Sequence, residues 1–412
     1  MNHFTKIFEK PAYWRYWLAY TLSTVGFELI RFALMVVVFD LIKTALSMGA
    51  FTAISMFCMV VFGPVAGIYI DGWDRKRIFI VCNILLAAAM FTLKYLSGAI
   101  WIYLLWSFAS TVYVFLRPVR VALITNLFPE EEYFQANSAF VMSLNLSKIL
   151  GPLIGGALLT FFSKEGTMNT ILSLFLLACV LISTVTFGSP SSRRMKGGPA
   201  GWNLTQLTTG IRFLLSNEDL RFYVLVGFLW RLFLACQLPL YIVFIKRYIG
   251  GGTPEYSLFM TILSLGGALG SLVAGGMENF WSRKTMIYGG LGASYLFFAV
   301  LPIPRDFFAA LIIMGLSNLS FFIAHVAIHS HIQRITPNAI RGKVFASSPT
   351  LLVPVGVVSM LIATPLADKV GVQWVFFITG LLAFITLPWV GYLNRILPKG
   401  SAPKDRLESV AP

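Results

Sequence analysis

Apolar residues run along this chain in continuous blocks of about twenty or more, and short polar segments separate them. The stretch Leu301 to Val326 is typical, with one charge pair near its start. A bilayer's hydrocarbon core of about 30 Å needs about 20 apolar residues per helix. The blocks predict helical spans near 14–40, 46–70, 78–97, 100–123, 136–162 and 167–188, then 220–247, 256–277, 284–302, 306–332, 347–366 and 372–397. A polar Ser/Pro/Gly/Arg stretch, Ser189 to Asn203, interrupts the series, and a short amphipathic segment, Leu204 to Ser216, follows it. The expected organisation is a six-helix bundle over 1–190, a linker over 191–218, a second six-helix bundle over 219–400 and a tail over 401–412.

Composition narrows the class. Of 412 residues 57% are hydrophobic and only 12% charged, against about 25% charged in a soluble domain. A transmembrane β-barrel would alternate apolar and polar residues over strands of about ten residues, and this chain does not. The fold class is therefore all-α integral membrane. The four cysteines, Cys58, Cys82, Cys179 and Cys236, lie far apart inside apolar blocks and read as small buried residues rather than metal ligands. The basic, polar start and the long first block do not read as a cleavable signal peptide.

A net charge of +15 raises the question of nucleic acid, and its distribution answers no. The basic residues cluster in short loops, as expected on the cytoplasmic side of a membrane. With the N-terminus inside, 22 of the 32 Lys and Arg fall on the cytoplasmic side, 7 on the other, and 3 inside spans. This predicts cytoplasmic termini in a cell membrane, for a bacterial protein the inner one.

The two halves repeat. Gly67, Trp73, Arg75 and Lys76 after span two correspond to Gly275, Trp281, Arg283 and Lys284 after span eight, at an offset of 208 (275 − 67). Pro129 after span four and Pro337 after span ten stand at the same offset. Duplicated six-helix halves are an architecture of secondary transporters.

The loop holding Gly67, Asp71, Asp74, Arg75 and Lys76 resembles the signature loop of the major facilitator superfamily, Gly-xxx-Asp-(Arg/Lys)-x-Gly-(Arg/Lys)-(Arg/Lys). Gly72 replaces the first basic residue and Asp74 the second glycine, a variant similar to the macrolide-efflux and enterobactin-exporter branch. The resemblance implies a cytoplasmic gate. In span five, Gly151, Pro152, Gly155 and Gly156 form a Gly-Pro-x-x-Gly-Gly run that resembles the antiporter motif of the drug-exporter branches. Proline kinks a helix and glycines allow another to approach closely. Ala139 and Ser147 stand near places where fuller versions of the motif carry further glycines.

Charge inside a membrane is costly and marks function. Glu28 and Arg31 lie three apart in span one, on one face. They read either as a proton-coupling switch or as a static ion pair. Arg231 in span seven, beside Trp230 and below Gln237, reads as a cargo contact or as a partner for Glu28. Lys148 lines the same cavity or snorkels to the interface. His325 and His329, one turn apart in span ten, suit a proton or polar-cargo role or a bonded structural pair, and metal less. Phe27, Phe32, Phe115, Trp230 and Phe321 stand beside these groups and offer an apolar wall to an amphiphilic cargo.

The sequence has no phosphate loop and no catalytic constellation, so neither an enzyme nor direct ATP drive is expected, and no cofactor or metal. The leading expectation is a monomeric, proton-coupled antiporter that exports an amphiphilic drug, macrolide or siderophore. Uptake or exchange of an organic anion is the main alternative, and a non-transporting membrane sensor or lipid-handling protein a further one.

Overall fold

The computed structural model describes residues 8–96, 98–127, 132–186, 211–277 and 280–396. Thus 191–210 of the expected linker and the tail 401–412 lie outside the described residues. The helices are α1 (Pro11–Ile42), α2 (Ala45–Gly72), α3 (Arg75–Leu93), α4 (Ala99–Leu127), α5 (Tyr133–Phe161) and α6 (Lys164–Ser183). Then come α7 (Glu218–Leu234), α8 (Gln237–Val243), a π-helical stretch Phe244–Ile249, α9 (Thr253–Met277), α10 (Arg283–Val300), α11 (Phe307–Ile335), α12 (Asn338–Val370) and α13 (Val372–Ile396). Each expected span coincides with a helix, the seventh being shared by α7, α8 and the π-helical stretch. Ten segments among the described residues are long and apolar enough to cross a membrane. No strand occurs among them.

Local chemistry sets the ends. Pro11 opens α1, where its missing N–H costs nothing. Side-chain caps start α2 (Thr44 Oγ1 accepts from Ser47 N), α6 (Ser163 Oγ from Gly166 N) and α11 (Asp306 Oδ2 from Ala309 N). Gly371, at φ 94°, turns α12 into α13 through a positive-φ conformation that glycine tolerates.

The repeat is visible in the helix starts. Those of α2 and α9 (45, 253), α3 and α10 (75, 283), α4 and α11 (99, 307), and α6 and α13 (164, 372) all differ by 208. The caps follow the same register. Asp74 accepts from Lys76 N and Arg77 N at the head of α3, and its counterpart Ser282 accepts from Thr285 N at the head of α10.

The chain forms two compact units, one of Met1–Gly201 with Pro239–Leu265, the other of Trp202–Leu238 with Gly266–Pro412. In unit one, α1 packs against α2, α4, α5 and α6. It is largely buried. It runs parallel to α5 along a polar seam: Tyr13 OH donates to Ala136 O, Trp17 Nε1 to Ala139 O, Thr21 Oγ1 to Ser143 Oγ, and Thr24 Oγ1 pairs with Ser147 Oγ at 2.8 Å. The seam explains one departure from the glycine motif, since the Ser147 hydroxyl bonds Thr24, whereas Ala139 contributes only a backbone carbonyl. In unit two, α7 packs against α12 and α13, and α10 against α11 and α13. Ser317 Oγ donates to Ser294 O across the α10–α11 contact.

Candidate functional site

Further along the α1–α5 seam the hydroxyls give way to charge. Glu28 Oε2 lies 2.5 Å from Arg31 Nη2, with side-chain exposures of 13% for Glu28 and 31% for Arg31. That ion pair apart, the buried Oε2 has no hydrogen-bond partner. The carboxylate therefore rests on one neighbour in a poorly solvated place, where its charge state matters most.

The glycines of α5 make room for this pair. A Cβ on Gly151 would fall 2.5 Å from Glu28 Cβ, and one on Gly155 2.8 Å from Phe32 Cδ1. Gly156 faces the other way, toward α9, where an added Cβ would overlap Ser257. Pro152 has no N–H, so the carbonyl four residues back, on Lys148, loses its helical donor. Ser264 Oγ on α9 supplies one at 3.0 Å, in competition with its own helix's Met260 O. Ser257 Oγ donates to Pro152 O at 2.8 Å. Two serines of α9 thus hold the proline bend of α5. The side chain of Lys148 is exposed.

This arrangement predicts that Ser264→Ala lowers stability by about 0.6–2 kcal/mol, the range for interhelical hydrogen bonds in membranes. The loss is expected to shrink in a Pro152→Ala background, where residue 152 regains a donor for the same carbonyl. Thermal unfolding of the wild type, the two single variants and the double variant in a double-mutant cycle checks the coupling.

Beyond the pair, α1 ends in a second ion pair. Asp40 Oδ1 lies 2.6 Å from Lys246 Nζ in the π-helical stretch; Lys246 is only 12% exposed and sits over the Phe39 ring. Tyr256 stacks on Phe32 at 5.2 Å, and its hydroxyl donates to Met35 Sδ.

At the signature loop, Gly67 and Asp71 occupy the closing stretch of α2, and the side chain of Asp71 lies outside what the structure describes. Asp74 caps α3 and approaches Arg77 Nε at 3.5 Å. Lys76 Nζ donates to Ser183 O at 2.8 Å and Val185 O at 2.7 Å, binding the carbonyl end of α6. Arg75 is half-buried.

In unit two, Arg231 Cζ lies 5.2 Å from the Trp230 ring centroid. Trp230 stacks on Phe321 at 5.3 Å, Phe321 meets His325 at 5.6 Å, and His325 meets His329 at 4.3 Å. No third metal-binding side chain joins the two histidines among the described residues. Gln237 is half-buried and opens α8 just after the break in span seven at Ala235 and Cys236. His331 Nδ1 approaches Arg283 Nη1 at 2.5 Å.

The structure therefore gathers Glu28, Arg31 and the α5 glycines in unit one, and Trp230, Arg231, His325 and His329 in unit two. The sequence reading missed Arg120. It counts there among the cytoplasmic bases, yet its Nε and Nη1 are buried and without a hydrogen-bond partner. Asp40, Lys246, Ser257 and Ser264 carried no signal that a single sequence exposes.

A bundle of long apolar helices in two repeated halves, with charges and a proline bend inside the spans, defines a helical membrane transporter. The Major Facilitator Superfamily model matches residues 16–350, and the chain belongs to that family. It is similar to macrolide efflux protein A of Streptococcus pyogenes, 21% identical over 406 residues, covering 94% of this chain and 98% of the relative. It is also similar to a Na(+), Li(+), K(+)/H(+) antiporter of Planococcus maritimus, 23% identical over 366 residues, covering 82% and 85%. Among solved structures, a bacterial homologue of the human lysosomal transporter Spinster shares the fold at TM-score 0.70 and 13% identity, covering 96% of this chain and 99% of that one.

Proposed function

We propose that the protein is a proton-coupled antiporter that exports an amphiphilic organic compound, such as a drug, macrolide or siderophore, by alternating access. The observation that carries this is the Glu28–Arg31 pair lodged against Gly151 of the α5 motif. A carboxylate with one ionic partner in a desolvated seam changes its surroundings when it takes up a proton, because Arg31 is then released. A helix contact with no room for a Cβ transmits a shift of α1 directly to α5. The similarity to an efflux protein supports export, and the similarity to a cation/proton antiporter supports ion coupling.

In this reading the protein works as a monomer in the bacterial inner membrane, with both termini cytoplasmic. Gly67, Asp71, Asp74, Arg75 and Lys76 belong to a cytoplasmic gate. Arg31, Lys148, Trp230, Arg231, Gln237, His325 and His329 line the cargo path, and the driving ion is the proton. The six-helix bundles over 1–190 and 219–400 are its moving parts.

The test is uptake of a labelled macrolide into inverted membrane vesicles under an imposed proton gradient. Accumulation that collapses with a protonophore is the expected result, and no accumulation over vesicles lacking the protein would overturn it. A second reading, uptake or exchange of an organic anion, draws on Arg231, which forms no ion pair among the described residues. Cells lacking the protein separate the two: they retain more cargo if it exports, and fail to acquire it if it imports.

A further inference from the structure

We infer that unit two carries a recognition wall for a flat aromatic acid, built from Trp230, Arg231, Phe321, His325, His329 and Phe345. The inference rests on the transporter reading and names the class of cargo. The rings form one ladder across three helices. Trp230 and Phe321 lie 25° from parallel, Phe321 and His325 35°, His325 and His329 40°, and His329 stacks on Phe345 at 6.0 Å and 25°. The guanidinium of Arg231 stands over the indole at the head of the ladder.

Three observations separate this ladder from ordinary core packing. First, none of the six side chains is fully buried, whereas Phe298 and Phe376, a packed pair of the same unit, are 1% and 0% exposed. Second, two imidazoles and a guanidinium would be costly on a lipid-facing surface, so the wall faces water or cargo. Third, among the described residues Arg231 meets no carboxylate within ion-pair distance. An arginine held in a span and balanced only by a ring face leaves its forked donors to an incoming anion.

The chemistry that fits is a planar ring bearing a carboxylate. Its ring extends the stack, and its carboxylate takes the bidentate donors of Arg231. A saturated acid of equal size meets only the guanidinium, and a neutral aromatic only the rings.

Binding to the purified protein tests this with 2-naphthoate, decahydro-2-naphthoate and 2-naphthylmethanol, measured by calorimetric titration. The expected result is that 2-naphthoate binds at least about tenfold more tightly than either of the others, about 1.4 kcal/mol. Trp230→Leu is expected to remove the preference over the saturated acid, and Arg231→Gln the preference over the alcohol. Arg231→Lys keeps the charge and recovers part of the latter preference. Equal binding of the three compounds to the wild-type protein would overturn the proposal, and this arm needs no variant to fold. Preferences that survive both substitutions would also overturn it. Selective binding with no uptake of labelled 2-naphthoate into inverted vesicles under a proton gradient would sink the transport reading and leave the wall standing; its uptake with indiscriminate binding would do the reverse.

Discussion

Glu28→Gln is expected to abolish proton-driven accumulation of cargo in inverted vesicles while leaving downhill exchange of labelled for unlabelled cargo intact. Glutamine keeps the size of the side chain and its contact with Gly151 but cannot exchange a proton. A proton moving down 100 mV of driving force supplies about 2.3 kcal/mol, which at one proton per cargo sustains a gradient of about 50-fold. The variant's expected gradient is about one. The exchange arm matters, because a variant that merely misfolds loses both activities. Uphill accumulation at the wild-type level would show that Glu28 is a structural partner of Arg31 and nothing more.

The second large effect is at the α5–α9 contact. A Cβ on Gly156 would lie 2.1 Å from Ser257 Oγ and 2.2 Å from Ser257 Cβ, so one side chain or helix must move. Gly156→Ala is expected to cost about 1–3 kcal/mol, as overpacking does in close-packed interiors. Ser257→Gly removes both clashing atoms, so the double variant should regain most of that loss despite giving up the hydrogen bond to Pro152 O. Thermal unfolding of the two single variants and the double decides the matter. A Gly156→Ala protein as stable as the wild type would mean the helices part here at little cost, and a destabilised one that Ser257→Gly does not rescue would mean the loss does not come from this contact.

The spans were readable because an unbroken run of about twenty apolar residues matches the thickness of a bilayer core and little else in protein structure. The repeat was readable because two loops matched at one offset, which the helix starts then extended to four helix pairs. The α5 glycines announced a close approach; that two of them face α1 and the third α9 depends on how the helix is turned. Ser257 and Ser264 were invisible for a plain reason. A serine in a membrane span usually bonds its own helix, and only packing shows that Pro152 has freed a carbonyl opposite. Arg120 follows Arg117 and Pro118 near the end of a span, so it counted as a loop charge, and the fold instead buries its Nε and Nη1. Asp40 and Lys246 are 206 residues apart and flank different spans, so no local pattern joins them.

The common register of the halves has a consequence for their ancestry. Moving five charged positions inside the spans by 208 finds Cys236 for Glu28, Pro239 for Arg31, Ile328 for Arg120, Gly356 for Lys148, and Ser23 for Arg231. Every one of these charges is a single-copy trait of a tandem gene. A chain built from the first half twice would carry two acids and no counterpart of Arg231; one built from the second half twice would have no acid at all at these positions. Divergence after the duplication, rather than the duplicated frame, has made the halves chemically unlike, and each now holds what its twin lacks.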